Sequence, residues 1–388
     1  MKKSLGGAFL VVGTTIGAGM LSLPLITAAC GLGVSILLII ISWSVMYFTG
    51  LRLIKVCANR PLGVNFTSLI KEEMPKSFQV IFTVVYLLLL YALMAAYTTQ
   101  GASLVNLVSQ AQVPTVSIDA IVFILIFGLV ILSTRLSDYV NRSFVSVKLI
   151  FYVLCVISMV FALKWINMLE MPLSFYALVF AWPTLLPSFG FQNIIPVLYE
   201  YQKGDIEAVK RSVLIGSFSV LVIYIIWLLV CLAILPQRGI HSYETIFKDG
   251  NTLSALIGEV KQATQSASIN TFLSVFINIS IITSFICVGL SLYHYIKDTF
   301  KRFGIEINRI IGFLLTFIPP FVFTVFYPQG FILALQYAAI FAVIIFVFTP
   351  IYLDKNNKAD KGNLYPLILG ALVIVAQILN LLGISQPF

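Results

Sequence analysis

Long apolar blocks follow one another along almost the whole of this chain, separated by short charged or Gly/Pro-rich joints. About twenty consecutive apolar residues are enough to carry a helix across a bilayer, and nearly every block reaches or approaches that length. Reading block by block gives eleven spans, at about 5–29, 32–56, 78–108, 117–135, 142–166, 173–199, 212–235, 269–298, 308–326, 329–353 and 364–384, with ends placed to about four residues. The third and eighth blocks are long, which leaves ten or twelve as alternative counts. Neither contains an internal polar turn, so the extra length reads as tilt. Composition excludes a water-exposed globule. Hydrophobic residues make up 60% of the 388 and charged residues 10%, against about 25% charged in a soluble domain.

The joints supply an independent check on the count. With a cytoplasmic amino terminus, 20 of the 24 Lys and Arg residues fall on the inner side and 4 on the outer, namely Lys164, Arg238, Lys248 and Lys261. Positive charge is retained on the cytoplasmic side during insertion, and a miscounted span would scramble the alternation. The expected topology is therefore amino terminus inside and carboxyl terminus outside, in a bacterial inner membrane. The first block runs on past Pro24 with no small-residue cleavage pattern, so it reads as a retained helix. The net charge of +9 lies beside the spans and orients them, rather than marking a nucleic-acid surface. The five cysteines are scattered through apolar blocks and suggest neither disulfides nor a metal centre. No cofactor and no obligatory protein partner are expected; the partners are membrane lipid and a small solute.

Two blocks are not ordinary Leu/Ile/Val/Phe helices. The first contains Gly13-Thr14-Thr15-Ile16-Gly17-Ala18-Gly19 and then Pro24; the sixth contains Pro183, Pro187-Ser188-Phe189-Gly190-Phe191-Gln192-Asn193 and then Pro196. Glycine weakens a helix interior, while proline removes a donor and clashes with the preceding turn. Unwound backbone survives in hydrocarbon only where protein or ligand covers it. Close helix packing through the glycines, or a simple proline kink, explains either block alone. The pairing is more telling. Spans one and six each open a set of five, and five being odd, the two sets start from opposite faces of the membrane. Interrupted helices at matching places in inverted halves mark the central site of a secondary transporter. The expected fold is all-α with a 5+5 inverted repeat, one half at about 5–166 and the other at about 173–353, within a single domain over 1–388 with an added helix at 364–384.

Half-helix ends give such a site its chemistry. Free amides and the positive dipole end attract an anion, and free carbonyls accept from a cation. A zwitterionic α-amino acid offers both. The amides of Gly17, Ala18 and Gly19 are expected to hold its carboxylate. Carbonyls near Thr15 and Ile16, and around Ser188, Phe189 and Gly190, are expected to hold its ammonium. Phe191 and Gln192, next along the sixth span, and Tyr97 and Gln100 on the third complete the expected lining, with Tyr91, Asn278 and Gln336 as further polar candidates.

The stretches GTTIGAGMLSLP (Gly13–Pro24) and PSFGFQNIIPVL (Pro187–Leu198) resemble the hydroxy/aromatic amino acid permeases, the bacterial tyrosine and tryptophan permeases within the amino acid–polyamine–cation superfamily. Length and span count agree, so the resemblance covers nearly the whole chain. It implies a fold similar to the leucine transporter and import of an aromatic amino acid, tyrosine ahead of tryptophan, by proton symport with alternating access. It departs at Gln192 and Asn193, which stand where a histidine is expected in close tyrosine and tryptophan permeases.

Two coupling sites compete. Thr283 and Ser284 on span eight form a hydroxyl pair of the kind sodium-coupled relatives use, though such hydroxyls commonly bond their own helix. Lys148 sits about two turns inside span five, where an ionisable side chain is a functional candidate. The resemblance implies that its ammonium takes the place of sodium, the alternative being a lysine that reaches the cytoplasmic surface. The acidic residues Asp138, Glu200 and Asp298 and the ring of His294 read as interfacial. An ion channel lacks its repeated filter here, and an enzyme lacks HExxH, Gly-x-Ser-x-Gly and paired intramembrane aspartates. A sodium-coupled or non-aromatic transporter and a non-transporting amino acid sensor are the other readings. The outer joint at about 236–268 is expected to be a partly helical lid.

Overall fold

The computed structural model describes residues 2–58, 60–62, 66–109, 116–170, 175–250, 252–302, 304–354 and 361–384. All regular structure among them is helical. The first span divides into α1 (Lys2–Thr15) and α2 (Ala18–Thr27), followed by α3 (Leu32–Ala58) and α4 (Lys76–Ser109). Next come α5 (Val116–Phe123) and α6 (Thr134–Val160). The sixth span is α7 (Phe175–Leu185) and α8 (Ile195–Tyr201), followed by α9 (Ile206–Ile234) and α10 (Ala267–Arg302). α11 (Arg309–Phe326), α12 (Phe331–Val343) and α13 (Leu364–Leu381) complete the set.

Nine helices among the described residues are long and apolar enough to cross a membrane; Ser4–Thr15 and Gly19–Cys30, bent by 55° at a short break, make a tenth. The fourth block forms a shorter apolar helix, Val116–Leu132, in which a π turn (Ile124–Gly128) and a 3₁₀ turn follow α5. Some helix ends differ from expectation. The apolar part of the fifth span begins at Ser143, as expected, but its helix begins at Thr134, where the Ser133 side chain caps α6 by accepting from the Leu136 amide, an N-cap of the usual chemistry. That helix ends at Val160 rather than near 166, where a 3₁₀ segment, Trp165–Leu169, takes over. The helix of the seventh begins at Ile206 rather than 212. The expected start of the sixth span at 173, and Lys355 and Lys358, lie outside the described residues.

Packing gathers the chain into two units. The first takes Met1–Tyr86, Met171–Leu228 and Ala339–Phe388, and the second Leu87–Glu170 and Leu229–Ala338. In the first, α13 packs along α7. Pro183 cannot donate to the Val179 carbonyl four residues back, and Asn380 of α13 supplies the missing donor, its Nδ2 lying 3.0 Å from that oxygen. Arg52, one of the basic residues that the charge pattern places in a joint, is not at a surface. It is buried in α3, 3.2 Å from Asp354 and over the Phe48 ring.

In the second unit α6 packs against α10, and Phe123, Phe285 and Phe317 form a chain of touching rings. The Cβ of any residue at 101 would collide with Phe123, which explains the glycine there. Tyr91 donates to the Leu315 carbonyl at 2.8 Å, the acceptor that Pro319 leaves without its backbone donor. Asn167 covers the exposed end of α9 in the same way, 3.1 Å from the carbonyls of both Ala233 and Ile234. The outer joint is partly helical, with Tyr243–Lys248 and Leu253–Thr264 capped by Ser242 and Thr252. Large apolar side chains such as Phe9, Val80, Leu125, Ile150 and Phe218 point outward, as a hydrocarbon solvent requires. All five cysteines are free.

The repair of α7 makes a coupled prediction. Asn380→Leu removes the donor to Val179 and should lower stability in detergent by about 1–3 kcal/mol. Pro183→Ala restores a backbone N–H, so the double variant should recover most of that loss in a thermal melt. Additive losses would show that Asn380 acts through something other than the proline gap.

Candidate functional site

Both expected breaks occur where glycine and proline crowd. In the first span the Ile16 amide still reaches back to Val12 (3.0 Å), and helical bonding resumes with the Met20 amide on Gly17 (3.1 Å). Gly17 lies between them at φ −152°, ψ −143°, outside any helical conformation. The first amides of α2 accordingly have no carbonyl in their own helix. In the sixth span α7 gives way to a 3₁₀ turn, Pro187–Phe189, then to Gly190 in extended conformation, a second 3₁₀ turn over Gln192–Ile194, and α8.

Within the first packing unit the two breaks meet. A Cβ placed on Gly19 would come within 2.7 Å of the Ser188 Oγ and 2.9 Å of its Cα, so the two segments touch through backbone. Between them stands a group that the sequence reading did not identify. The Tyr224 hydroxyl of α9 lies 2.9 Å from the Thr15 carbonyl and 2.9 Å from the Ser188 carbonyl. Its ring packs on Phe189 at 5.0 Å and is fully buried. The only sequence signal was a lone tyrosine within an otherwise apolar stretch of span seven.

Side chains at the breaks are largely committed to the fold. Thr15 Oγ1 donates to Val11 (2.7 Å) and Ser188 Oγ to Thr184 (2.9 Å), each closing on its own helix. Ile16, Phe189 and Phe191 are buried. Phe191 packs against Gly50 of α3, where a Cβ would meet its ring at 2.7 Å. Gly190 faces the Phe346 ring. The Gln192 side chain accepts from the Phe191 amide (3.0 Å) and donates to the Met46 carbonyl (3.2 Å) and to Thr49 Oγ1 (3.1 Å), so it pins the unwound strand to α3. Besides these side chains, what the breaks present is backbone: the amides of Gly17, Ala18 and Gly19, and the carbonyls of Thr15 and Ser188, which accept from Tyr224.

The remaining candidates belong to the second unit. Tyr97 and Gln100 lie one turn apart on α4, both buried, and Gln100 Nε2 has no hydrogen-bond partner among the described residues. Tyr91 is not open to a ligand, since its hydroxyl serves Leu315. Lys148 is 3% exposed, so it does not reach an aqueous surface, and it lies within electrostatic range of Cys287 on α10. Thr283 and Ser284 are one turn away on that helix, with Thr283 Oγ1 donating to the Ser280 carbonyl at 3.0 Å. Gln336 is buried and Asn278 half-buried. Glu200, His294 and Asp298 are exposed. No group of three or more His, Cys, Asp or Glu side chains suited to a metal occurs among the described residues.

The glycine geometry separates two otherwise similar substitutions. Gly19→Ala must displace the backbone at Ser188 and should reduce uptake roughly tenfold or more without loss of expression. Gly13→Ala meets nothing within 4 Å and should transport normally. Equal uptake by the two variants in whole cells would mean that contact between the breaks is unimportant.

Comparison with known proteins agrees with this architecture. The model of the tryptophan/tyrosine permease family matches residues 1–386. The chain is 34% identical to tyrosine-specific transport system 1 of Haemophilus influenzae, over 100% of this chain and 97% of that protein. It is 30% identical to the tryptophan-specific transport protein of the same organism, over 99% and 97%. Among solved structures it is similar to Mhp1, a nucleobase-cation-symport-1 family transporter in a closed conformation, at TM-score 0.61 and 13% identity over 99% of this chain and 94% of that one. These are transporters, not enzymes, and the chain belongs to the tryptophan/tyrosine permease family.

Proposed function

We propose that this chain imports an aromatic amino acid across the bacterial inner membrane by proton symport with alternating access, preferring tyrosine and then tryptophan. The observation that carries the reading is the meeting of two interrupted spans, Gly19 against Ser188, which puts the first amides of α2 beside the Thr15 and Ser188 carbonyls that Tyr224 joins. A carboxylate and an ammonium a few ångströms apart are the complement of that arrangement. The aromatic preference rests on the tyrosine- and tryptophan-specific transporters to which the chain is similar along its whole length. Tyr97 and Gln100 of α4 are proposed to face the substrate, Gln100 with an amide free to donate.

The proposed topology is eleven spans, with Val116–Leu132 as the fourth, the amino terminus in the cytoplasm and the carboxyl terminus outside. Spans one to five and six to ten form inverted halves, at about 5–166 and 173–353, and the helix at 364–384 is appended. The charge asymmetry of the joints supports that orientation.

For coupling, Lys148 is proposed to occupy the role that sodium fills elsewhere. Its burial beside Cys287, one turn from Thr283 and Ser284, supports this. A sodium ion at those hydroxyls would sit close to an existing ammonium, and like charges at such range repel strongly at low dielectric. Thr283 and Ser284 keep a sodium-coupled reading alive as the second choice.

Uptake of labelled tyrosine, tryptophan and phenylalanine into proteoliposomes, with an inward proton gradient and no sodium, tests the whole reading. Accumulation abolished by an uncoupler, and by Lys148→Met, is the expected result. Recovery only on adding sodium, with loss in Thr283→Ala or Ser284→Ala, would transfer coupling to the hydroxyl pair. Accumulation of none of the three in either condition would contradict the aromatic assignment.

A further inference from the structure

Along the sixth span the backbone hydrogen bonds tighten before the chain unwinds. The Phe189 amide donates to the Leu186 carbonyl (3.3 Å) and the Gly190 amide to the Pro187 carbonyl (2.9 Å), each three residues back. In an α-helix the next amide, that of Phe191, would donate to the Pro187 carbonyl four residues back. It turns instead to the Gln192 Oε1, 3.0 Å away. Three-residue bonding is found again beyond it, with the Ile194 amide on the Phe191 carbonyl (3.0 Å). At Phe191, then, a side chain and not the helix supplies the acceptor.

Gln192 is held there from its other end. A glutamine amide has an acceptor oxygen and two N–H donors. The oxygen takes the Phe191 amide, and Nε2 reaches the Met46 carbonyl (3.2 Å) and Thr49 Oγ1 (3.1 Å). Thr49 Oγ1 gives its own proton to the Met46 carbonyl (3.1 Å), so it accepts from Gln192. The network fixes which way the amide points, since a flip would set Nε2 against the Phe191 N–H. Gln192 and Thr49 are fully buried. Met46 and Thr49 belong to the unbroken α3, and the Phe191 ring rests against Gly50 of the same helix. Pro187, Gly190 and Pro196 weaken a helix at this place, yet a proline within a span commonly leaves only a kink. A competing acceptor adds what they lack, another partner for the amide.

We propose that Gln192 is a positioning residue that keeps the sixth span broken, by taking the Phe191 amide from the Pro187 carbonyl and fastening it to α3. Closing the break would draw Pro187–Phe191 into one helix and turn the Ser188 carbonyl away from Tyr224, which it meets at 2.9 Å. Gln192 acts through the strand it holds and not by touching a substrate. Its consequence for binding rests on the transport reading above; its hold on the backbone does not.

The test reads the Phe191 peptide itself. Labelling glycine carbonyls with ¹³C and phenylalanine amides with ¹⁵N selects Gly–Phe pairs, of which the chain has three, at 190–191, 312–313 and 330–331. The first is the signal that Phe191→Leu lacks. Gln192→Met keeps the length of the side chain and loses its hydrogen bonds. In bilayers without substrate its Gly190 carbonyl signal should move to helical values while the other two pairs stay in place. Gln192→Glu still offers an oxygen to the Phe191 amide and should keep the wild-type position. A Gly190–Phe191 signal unmoved in Gln192→Met would overturn the proposal. If Gln192→Met does not fold, a shift to helical values in Gln192→Glu would overturn it instead. In proteoliposomes Gln192→Met should raise the KM for tyrosine roughly tenfold, as expected for one hydrogen bond to a charged group. A KM within about twofold of wild type, despite a moved signal, would overturn the positioning role. Should wild type accumulate no aromatic amino acid, the transport reading fails by itself, and the Gly190–Phe191 signal still decides whether Gln192 holds the break.

Discussion

A backbone carbonyl or amide without a partner in hydrocarbon costs several kcal/mol, and this chain repeatedly creates such groups and then repairs them with side chains. Pro183 orphans the Val179 carbonyl, and Asn380 meets it. Pro319 orphans Leu315, and Tyr91 meets it. The end of α9 exposes Ala233 and Ile234, and Asn167 meets both. The unwound strand after Gly190 is tied to α3 through Gln192. Each repair draws on a polar side chain that would itself be costly to bury unsatisfied.

Against that background the junction of the two broken spans stands apart. Here one buried phenol serves the carbonyls of both broken spans, and the first amides of α2 receive no partner from their own helix. The surroundings are rigid: the Gly19–Ser188 contact and the buried Phe189–Tyr224 pair hold the two broken segments in place. Had flexible side chains supplied these donors and acceptors, they could have closed on one another. Backbone groups at a helix break cannot.

The breaks themselves were legible in the sequence, because glycine and proline act on their own backbone and need no distant partner to interrupt a helix. Gly17, Pro187 and Gly190 therefore lie where expectation put them. Span positions were legible for the same local reason, while the helix of the fifth span runs from the Ser133 cap to Val160, where capping and a 3₁₀ turn decide its ends. Tyr224 was not legible, since its meaning depends on carbonyls 209 and 36 residues away. Tyr91 and Gln192 were read as ligand-facing polar groups, but packing gives their hydrogen bonds to Leu315 and to α3. A polar residue in an apolar span signals that some group needs a partner; whether that group belongs to the protein or to a ligand is settled only by the fold.

The central claim is that the amides opened by the first break receive the carboxylate of an amino acid. Magic-angle-spinning NMR on ¹⁵N-glycine-labelled protein in lipid bilayers reads those amides directly. On adding tyrosine the Gly17 and Gly19 signals should move downfield, as amides do on gaining an anionic acceptor, while Gly13 stays in place. Unchanged Gly17 and Gly19 signals, in bilayers where tyrosine uptake is saturable, would contradict the account.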